Sequence, residues 1–327
     1  MPLQLEITRE SWPIAGSFTI SRGSKTFADV VVVTLRDGGF VGRGECVPYP
    51  RYNETLPQVA DALEAARAKI EAGCSRDDVP GLVAPHAAQN ALDCALWDLE
   101  AKRSGKPVWQ LAGLSEPRPL VTAFTLSLDT PEAMAEAAAK SAHRPLLKLK
   151  LGRDGDAERL RLIRKAAPRS RLIVDANEGW QPDQLAHLFA VCAEVGVELV
   201  EQPLPAGHDE ALKGLPRAVT ICADESAHDR AGLDALSGKY DAINIKLDKT
   251  GGLTEALALA HAAQSKGFKV MTGCMLATSL AMAPAMLVAQ FASVVDLDGP
   301  LLLKEDRTPG IRFEGSVMYP APPELWG

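Results

Sequence analysis

Short apolar runs that each end in a polar residue recur through the second half of the chain. From the run LLKLKL at 146–151 onward, the polar positions follow one another at intervals of 22 to 28 residues: Lys150, Asp175, Glu201, Asp224, Lys246, Cys274 and Asp298. Helical stretches separate the runs, and one strand with one helix accounts for an interval of this length. Eight such runs, beginning with VTAFTL at 121–126, predict an α/β fold with a parallel barrel of the TIM type.

The first hundred residues follow a different pattern. Apolar and polar side chains alternate over residues 1–50, and the turn sequence Asp37-Gly38-Gly39 separates the last two runs, which predicts an antiparallel meander. Helical periodicity follows over 55–73 and 86–104. We therefore expect an α+β domain at 1–115, completed by about 300–327, beside a barrel domain at 116–299.

Composition and charge limit the partners and the compartment. The net charge of -7 argues against binding to nucleic acid or to an anionic membrane, because both need a basic surface. The first ten residues carry charges and so lack the apolar core of a secretion signal, and the six cysteines form no CxxC pair. We expect a soluble cytoplasmic protein with no nucleic-acid or membrane partner.

Three carboxylates end consecutive runs of the predicted barrel. Asp175 follows LIV, Glu201 follows ELV and Asp224 follows ICA. Because the carboxyl ends of parallel strands meet at one rim of the barrel, these side chains should converge. A set of oxygen ligands suits Mg²⁺, whereas each carboxylate alone could equally cap the helix that follows it.

Two lysines end runs that lie four strands apart. Lys150 ends the second run and Lys246 the sixth, so in a barrel of eight they should face each other across the mouth. Lys148 points to the same side as Lys150, since side chains two apart on a strand share a face. Two amines across a metal site suggest removal of a proton next to a carboxylate, through an ene-diolate, and return of a proton to the opposite face.

Several motifs resemble those of the enolase superfamily, muconate-lactonizing subgroup. They are KLK at 148–150, VDAN at 174–177, VEQPLP at 200–205, CADES at 222–226 and NIKLDKTGG at 244–252. The resemblance covers nearly the whole chain and implies a modified (β/α)7β barrel with an N-terminal α+β capping domain as its lid. Enzymes of this superfamily use lysine or histidine bases with Mg²⁺.

The resemblance also implies roles for single residues. Lys150 and Lys246 would be the acid/base pair, and Asp175, Glu201 and Asp224 would bind one Mg²⁺ per subunit. Lys148 would contact the substrate carboxylate, and Thr125 and Cys274 would line the substrate pocket. Asn177 and Glu225 would orient the metal ligands without binding the ion themselves.

Two further motifs are similar to those of dipeptide epimerases within this superfamily. VVDLDGP places Asp296 and Asp298 at the eighth strand, where such a pair holds a substrate ammonium group; the other interpretation is a turn before Gly299-Pro300. The loop ISRGSKT at 20–26 carries Arg22 and Lys25, which could meet an acidic side chain, although a solvated hairpin has the same composition.

The function that follows is Mg²⁺-dependent epimerisation of dipeptides, most simply L-Ala-D/L-Glu from cell-wall peptides. A rival within the superfamily is an o-succinylbenzoate synthase or N-acylamino acid racemase, which would use the same lysines. A rival of another class is a non-catalytic barrel that binds a carboxylate. The resemblance is compatible with a homo-oligomer, and the preferred side chains of the dipeptide stay open.

Overall fold

The computed structural model describes residues 3–152 and 154–327. An N-terminal antiparallel sheet consists of β1 (Gln4–Ile20), β2 (Gly23–Asp37) and β3 (Phe40–Cys46), paired in that order. The spacing of apolar residues fits a strand, because Val31, Val33 and Leu35 of β2 lie two residues apart and are fully buried on one face of the sheet. The predicted meander and its turn at Gly38 and Gly39 are confirmed.

Helices follow this sheet in the chain. They are α1 (Leu56–Glu71), α2 (Val79–Leu82), α3 (His86–Ser104) and α4 (Val108–Leu111). Of these, α1 and α3 pack on the sheet. Helix α3 lies so close to β3 that a Cβ on Gly44 would be 2.1 Å from the carbonyl oxygen of Ala91. The predicted end of α3 is confirmed, since Gly105 caps it with a φ of 67°.

Within the described ranges, eight parallel strands form the second sheet, in the same order as in the chain. The amide of Ala123, just before the first strand, donates to the carbonyl of Val295 in the last at 2.8 Å, so the two edges meet in a barrel. The strands are β5 (Phe124–Leu126), β6 (Leu146–Lys150), β7 (Arg171–Asp175), β8 (Val197–Glu201), β9 (Thr220–Ala223), β10 (Ala242–Ile245), β11 (Lys269–Gly273) and β12 (Val294–Asp296).

Helical segments connect each barrel strand to the next. Between β8 and β9 the connection carries the 3-10 helix Glu210–Gly214. The α-helices of the other connections are α5 (Pro131–Lys140), α6 (Asp156–Ala166), α7 (Leu185–Glu194), α8 (Leu233–Leu236), α9 (Leu247–Thr250), α10 (Leu253–Ser265) and α11 (Ser279–Ala289). The predicted (β/α)7β barrel with an N-terminal α+β domain is confirmed.

The C-terminal segment returns to the N-terminal sheet. It contains α12 (Gly299–Leu302) and two short strands, β13 (Phe313–Glu314) and β14 (Val317–Met318), which pair with β4 (Leu120–Val121). The amide of Lys304 donates to the carbonyl of Pro13 at 2.8 Å, and Trp326 Nε1 donates to the carbonyl of Cys94 at 3.0 Å. These two hydrogen bonds support our proposal that about 300–327 completes a unit with residues 1–115, whereas the pairing with β4 joins the same segment to the unit at 116–299.

The interior of the barrel contains an apolar layer, to which seven strands and the residue before β5 each contribute one side chain. Its members form one buried cluster: Ala123, Leu146, Ile173, Leu199, Cys222, Ala242, Met271 and Val294. This layer closes the barrel below the carboxyl rim. In the described part of the chain, no helix combines the length and the apolar character that crossing a bilayer requires.

Candidate active site

A mostly polar layer lies directly above the apolar layer in the barrel. Side chains two apart on a strand share a face, so the inward positions come two residues after the members of the apolar layer. They are Thr125, Lys148, Asp175, Glu201, Asp224, Asn244, Gly273 and Asp296. Gly273 leaves space there for an amide, because a Cβ would lie 2.7 Å from the side chain of Asn244.

The three predicted carboxylates converge in this layer. Asp175 and Glu201 end β7 and β8, and Asp224 directly follows β9. One carboxylate oxygen from each lies within 4.8 Å of the other two, and all three side chains are buried. The structure therefore brings together the oxygen donors of a small, hard cation site.

Lys148 lies among these carboxylates. Its Nζ is 2.6 Å from Asp296 Oδ2, 2.7 Å from Glu201 Oε2 and 3.1 Å from Asp175 Oδ2. Burial opposes the charge of this ammonium group, but the three carboxylates outweigh burial and keep the pKa of Lys148 well above its ordinary value. The alternation of LLKLKL thus places both lysines of β6 inside the barrel rather than on a solvated face.

Lys150 and Lys246 approach the carboxylates from separate strands. Lys150 Nζ is 2.6 Å from Asp175 Oδ2, and Lys246 Nζ is 2.6 Å from Asp224 Oδ2. Burial raises the pKa of both acids, yet the neighbouring ammonium groups hold each pKa below its ordinary range. Since β6 and β10 are four strands apart in the barrel, the two amines come from opposite sides, as predicted.

Glu201 differs electrostatically from the other two carboxylates. Its pKa is raised, first by burial and then by the charge of Asp175. Asn244 Nδ2 donates to Glu201 Oε1 at 2.7 Å. Of the three carboxylates, Glu201 is thus the one whose charged form is least favoured in the metal-free protein.

A cavity of about 710 Å³ opens above the polar layer. Its wall includes Lys150, Asp224, Lys246 and Cys274 from the barrel. The N-terminal domain supplies the other side, through the tip of the β1–β2 hairpin and the segment 47–57. The ring of Phe18, in this hairpin, lies with its centroid 5.6 Å from Lys150 Nζ. The space is thus bounded by the two lysines and by a lid from the other domain.

Arg22 and Lys25 occupy different positions in this lid. Arg22 donates to Glu225 Oε1 at 2.8 Å, to the carbonyl of Asn177 at 2.9 Å and to Glu178 Oε2 at 3.1 Å. Lys25 lines the cavity, and its Nζ lies 5.9 Å from the centroid of the Phe18 ring, which Lys150 also approaches. Arg22 therefore connects the hairpin to the barrel loops, whereas Lys25 presents its charge to the cavity.

Asp296 and Asp298 lie on different structural elements. Strand β12 ends at Asp296, and Asp298 lies two residues later, directly before α12. Asp298 Oδ2 accepts from the amide of Thr125 at 2.6 Å. Burial, and next the charge of Asp296, raise the pKa of Asp298. The two carboxylates remain close neighbours at the barrel interior.

The residues 3–113 match the family described as mandelate racemase / muconate lactonizing enzyme, N-terminal domain, and residues 132–322 match the enolase C-terminal domain-like family. The chain belongs to the enolase superfamily. The predicted resemblance to its muconate-lactonizing subgroup is thereby confirmed.

Within the enolase superfamily, two curated relatives are similar over nearly the whole chain. The L-Ala-D/L-Glu epimerase of Escherichia coli (strain K12) is 45% identical, over 96% of this chain and 99% of that protein. The N-acetyl-D-glutamate racemase of a Pseudoalteromonas species is 43% identical, over 91% and 95%. Overall sequence identity therefore does not decide whether the substrate of this chain carries a free or an acylated amino group.

A solved member of the superfamily has nearly the same backbone. It is an enolase family member from Agrobacterium tumefaciens with homology to dipeptide epimerases, with bound sodium, L-Ala-L-Glu and an ordered loop. It is 55% identical, with a TM-score of 0.98, and all of each chain is covered.

Sequence reasoning missed Lys249 as part of this enolase-superfamily site. Its side chain is fully buried, and its Nζ donates to Asp224 Oδ1 at 2.7 Å and to the carbonyl of Asn244 at 2.9 Å. The motif NIKLDKTGG contained the signal, since a lysine three residues after Lys246 returns to the same side of the short helix α9. Asp224 is thus held by two lysines, of which Lys246 alone is in the cavity wall given above.

Proposed function

We propose that this protein is a Mg²⁺-dependent epimerase of dipeptides, and that its substrate is L-Ala-D/L-Glu. The observation that carries the proposal is the position of Lys150 and Lys246, which line one cavity from strands four apart beside a buried carboxylate triad. The relative from Escherichia coli, an L-Ala-D/L-Glu epimerase, supports this substrate class. Epimerases of this kind are isomerases.

Asp175, Glu201 and Asp224 would hold the metal ion, one per subunit. Their donor atoms are all carboxylate oxygens within 4.8 Å of one another, and Mg²⁺ prefers oxygen ligands of this type. Asn177 and Glu225, which follow Asp175 and Asp224 in the chain, would help to orient these ligands. When bound, Mg²⁺ would supply Lewis-acid stabilisation of the negative charge that grows on the substrate carboxylate.

Proton transfer belongs to the two lysines. The neutral amine of Lys150 removes the α-proton from one face of the second residue, and the electrons of the broken C–H bond pass into the adjacent carboxylate. The ammonium group of Lys246 then donates a proton to the opposite face, which forms the new C–H bond and inverts the centre. The reverse reaction exchanges the two roles. Such assistance typically contributes about 10² to 10⁴ in rate.

The free amino group of the dipeptide would bind at Asp296 and Asp298. Asp296 Oδ1 is buried and has no hydrogen-bond partner among the described residues, so an incoming ammonium group would satisfy it. Lys148, which lies on the other oxygen of Asp296, would contact the substrate carboxylate. Cys274 lines the cavity, and Thr125, whose amide donates to Asp298, would complete this end of the pocket. An acylated nitrogen carries no charge to compensate two buried carboxylates.

Lys25 is the residue that we assign to the acidic side chain of the dipeptide. Burial lowers its pKa foremost; the carboxylate of Asp29 opposes this effect, and the charge of Lys150 adds to it. A further anionic partner would therefore stabilise the charged form of Lys25. Arg22 is already engaged by Glu178 and Glu225, and its role would be to hold the hairpin closed over the cavity.

Deuterium exchange in heavy water tests the chemistry. The wild-type enzyme should incorporate deuterium at the α-carbon of the second residue of L-Ala-L-Glu. Lys150→Ala and Lys246→Ala should each lose exchange from one stereochemical face, while the exposed Lys165→Ala should keep both. If the protein is instead a non-catalytic barrel that binds a carboxylate, neither the wild type nor any variant should exchange deuterium, and this result would reject the proposal.

Substrate comparison separates the rivals within the superfamily. L-Ala-L-Glu and N-succinyl or N-acetyl glutamate should be offered to the same enzyme, together with the precursor of o-succinylbenzoate. We expect turnover of the free dipeptide alone. Turnover of the acylated amino acids without turnover of the dipeptide would favour an N-acylamino acid racemase and would reject our assignment of Asp296 and Asp298.

The setting of this activity is also part of the proposal. We place the enzyme in the cytoplasm, in the breakdown of cell-wall peptides, without nucleic-acid or membrane partners. A homo-oligomer is compatible with this role. Fractionation of cells and the mass of the purified protein in solution test these two points.

A further inference from the structure

Gln202 has an unusual backbone and an unusual side-chain environment for a residue next to a metal ligand. It directly follows Glu201, and its φ of 36° lies in the left-handed region that non-glycine residues rarely adopt. Its side chain is fully buried. A strained and fully buried residue at a functional site persists only where the surrounding contacts compensate for its cost.

The backbone of Gln202 joins three loops of the barrel rim. Its amide donates to the carbonyl of Cys222 on β9 at 2.9 Å, and its carbonyl accepts from the amide of Glu178 at 2.9 Å. Glu178 lies three residues after Asp175, and Cys222 two residues before Asp224. One residue thus connects the segments that carry all three carboxylates.

The side chain of Gln202 adds a second set of connections. Its Oε1 accepts from the backbone amides of Asp224 at 2.9 Å and Ser226 at 3.1 Å. Its Nε2 donates to the carbonyl of Leu204 at 2.8 Å and to the hydroxyl of Tyr240 at 2.9 Å. Only this orientation of the amide gives two backbone donors an acceptor and gives the NH₂ group acceptors of its own.

Tyr240, which accepts a hydrogen bond from the side chain of Gln202, is itself held by the carboxylate of Asp209. The hydroxyl of Tyr240 donates to Asp209 Oδ2 at 2.7 Å, and Lys239 Nζ lies 2.7 Å from Asp209 Oδ1. Tyr240 and Asp209 are therefore linked to the carboxylate triad through Gln202 without being part of it.

We propose that Gln202 is a positioning residue that sets the spacing of Asp175, Glu201 and Asp224, and through this spacing the affinity for the divalent ion. The inference rests on the metal site of the proposed function. Residues that orient metal ligands without touching the ion typically change affinity by about 10- to 100-fold when they are replaced.

Mn²⁺ binding, followed by the electron paramagnetic resonance signal of free Mn²⁺, tests the inference without any turnover. Gln202→Met keeps the length of the side chain but removes both sets of hydrogen bonds, and it should weaken Mn²⁺ binding by about 10- to 100-fold. The matched control is Gln89→Met, because Gln89 is another buried glutamine, bonded to the carbonyl of Val83 at 2.8 Å. Its affinity for Mn²⁺ should stay at the wild-type value.

Tyr240→Phe provides a milder variant in case Gln202→Met does not fold. It removes one hydroxyl that contacts Gln202 and Asp209 but none of the proposed metal ligands, and it should weaken Mn²⁺ binding measurably but less than Gln202→Met. Wild-type affinity in folded Gln202→Met, or in Tyr240→Phe, would overturn the inference, as would an equal loss in Gln89→Met. Failure of the wild-type protein to bind Mn²⁺ would instead overturn the proposed metal site itself.

Discussion

Lys148 Nζ lies 2.7 Å from Glu201 Oε2, inside the barrel and above its apolar layer. This ammonium group also contacts Asp175 and Asp296, so it compensates several buried negative charges at once. Loss of one partner from a buried ion pair leaves an uncompensated charge, which is costly in a medium of low polarity. The cation at this position therefore contributes to the stability of the metal-free protein.

Replacement of Lys148 by methionine should destabilise the metal-free protein by about 3 kcal/mol. Mg²⁺ should then raise the melting temperature of Lys148→Met more than that of the wild type, since the ion supplies the missing positive charge. Thermal unfolding with and without Mg²⁺ measures both effects. The exposed Lys140→Met on α5 is the control, and equal Mg²⁺ responses in all three proteins would contradict the prediction.

The ion pair between Arg22 and Glu225 connects the hairpin to the barrel, at 2.8 Å. Because the Glu225 carboxylate is buried, Arg22→Ala leaves it without its charged partner and frees the hairpin tip. We expect kcat/KM for the dipeptide to fall about tenfold, mainly through KM. Steady-state kinetics test this, with Arg36→Ala as control, because Arg36 pairs with Glu6 on the exposed part of the same sheet. An unchanged KM in Arg22→Ala would remove the proposed role of this contact.

The barrel and its rim could be predicted because strand geometry imposes regular positions. Asp175, Glu201 and Asp224 each follow a short apolar run, and parallel strands bring their carboxyl ends to one rim. The same rule placed Lys150 and Lys246 on opposite sides. These predictions needed only the period of the βα unit and the alternation of side chains along a strand.

The contacts between distant segments could not be predicted in this way. Arg22 and Lys25 lie three residues apart on one hairpin and both line the cavity, yet among the described residues only Arg22 of the two is bonded to the barrel loops. That difference depends on Asn177 and Glu225, which lie far from the hairpin in the chain. Similarly, Asp298 lies beyond the end of its strand, and the connections of Gln202 depend on a left-handed φ that no residue pattern indicated.

The buried carboxyl of Asp248 should make stability depend on pH. Burial is the main reason why its pKa is raised to about 7, although the amide of Val47 and Asn90 Nδ2 donate to it. The folded state thus binds this proton more tightly than the unfolded state does. The stabilisation is complete below about pH 4 and is lost as the pH rises through 7, with a total on the order of 4 kcal/mol.

Asp248→Asn should remove this contribution to the pH dependence. The free energy of unfolding, from urea titrations at intervals between pH 4 and pH 8, should fall less steeply with pH in the variant than in the wild type. The exposed Asp77→Asn is the control and should follow the wild-type curve. Parallel curves for the wild type and Asp248→Asn would show that this carboxyl keeps its ordinary titration.

Lys25 should determine the preference for an acidic second residue in the dipeptide. Lys25→Met keeps the apolar stem that lines the cavity but removes the charge, so L-Ala-L-Glu loses a charged hydrogen bond. We expect its kcat/KM to fall about 10- to 100-fold. L-Ala-L-Gln has nearly the same shape without the negative charge, and its kcat/KM should stay the same or rise. Parallel kinetics with the two dipeptides measure this difference directly, because effects on folding or on proton transfer lower both values equally. An equal loss for both dipeptides would assign Lys25 to the general architecture of the cavity instead of to recognition of the acidic side chain.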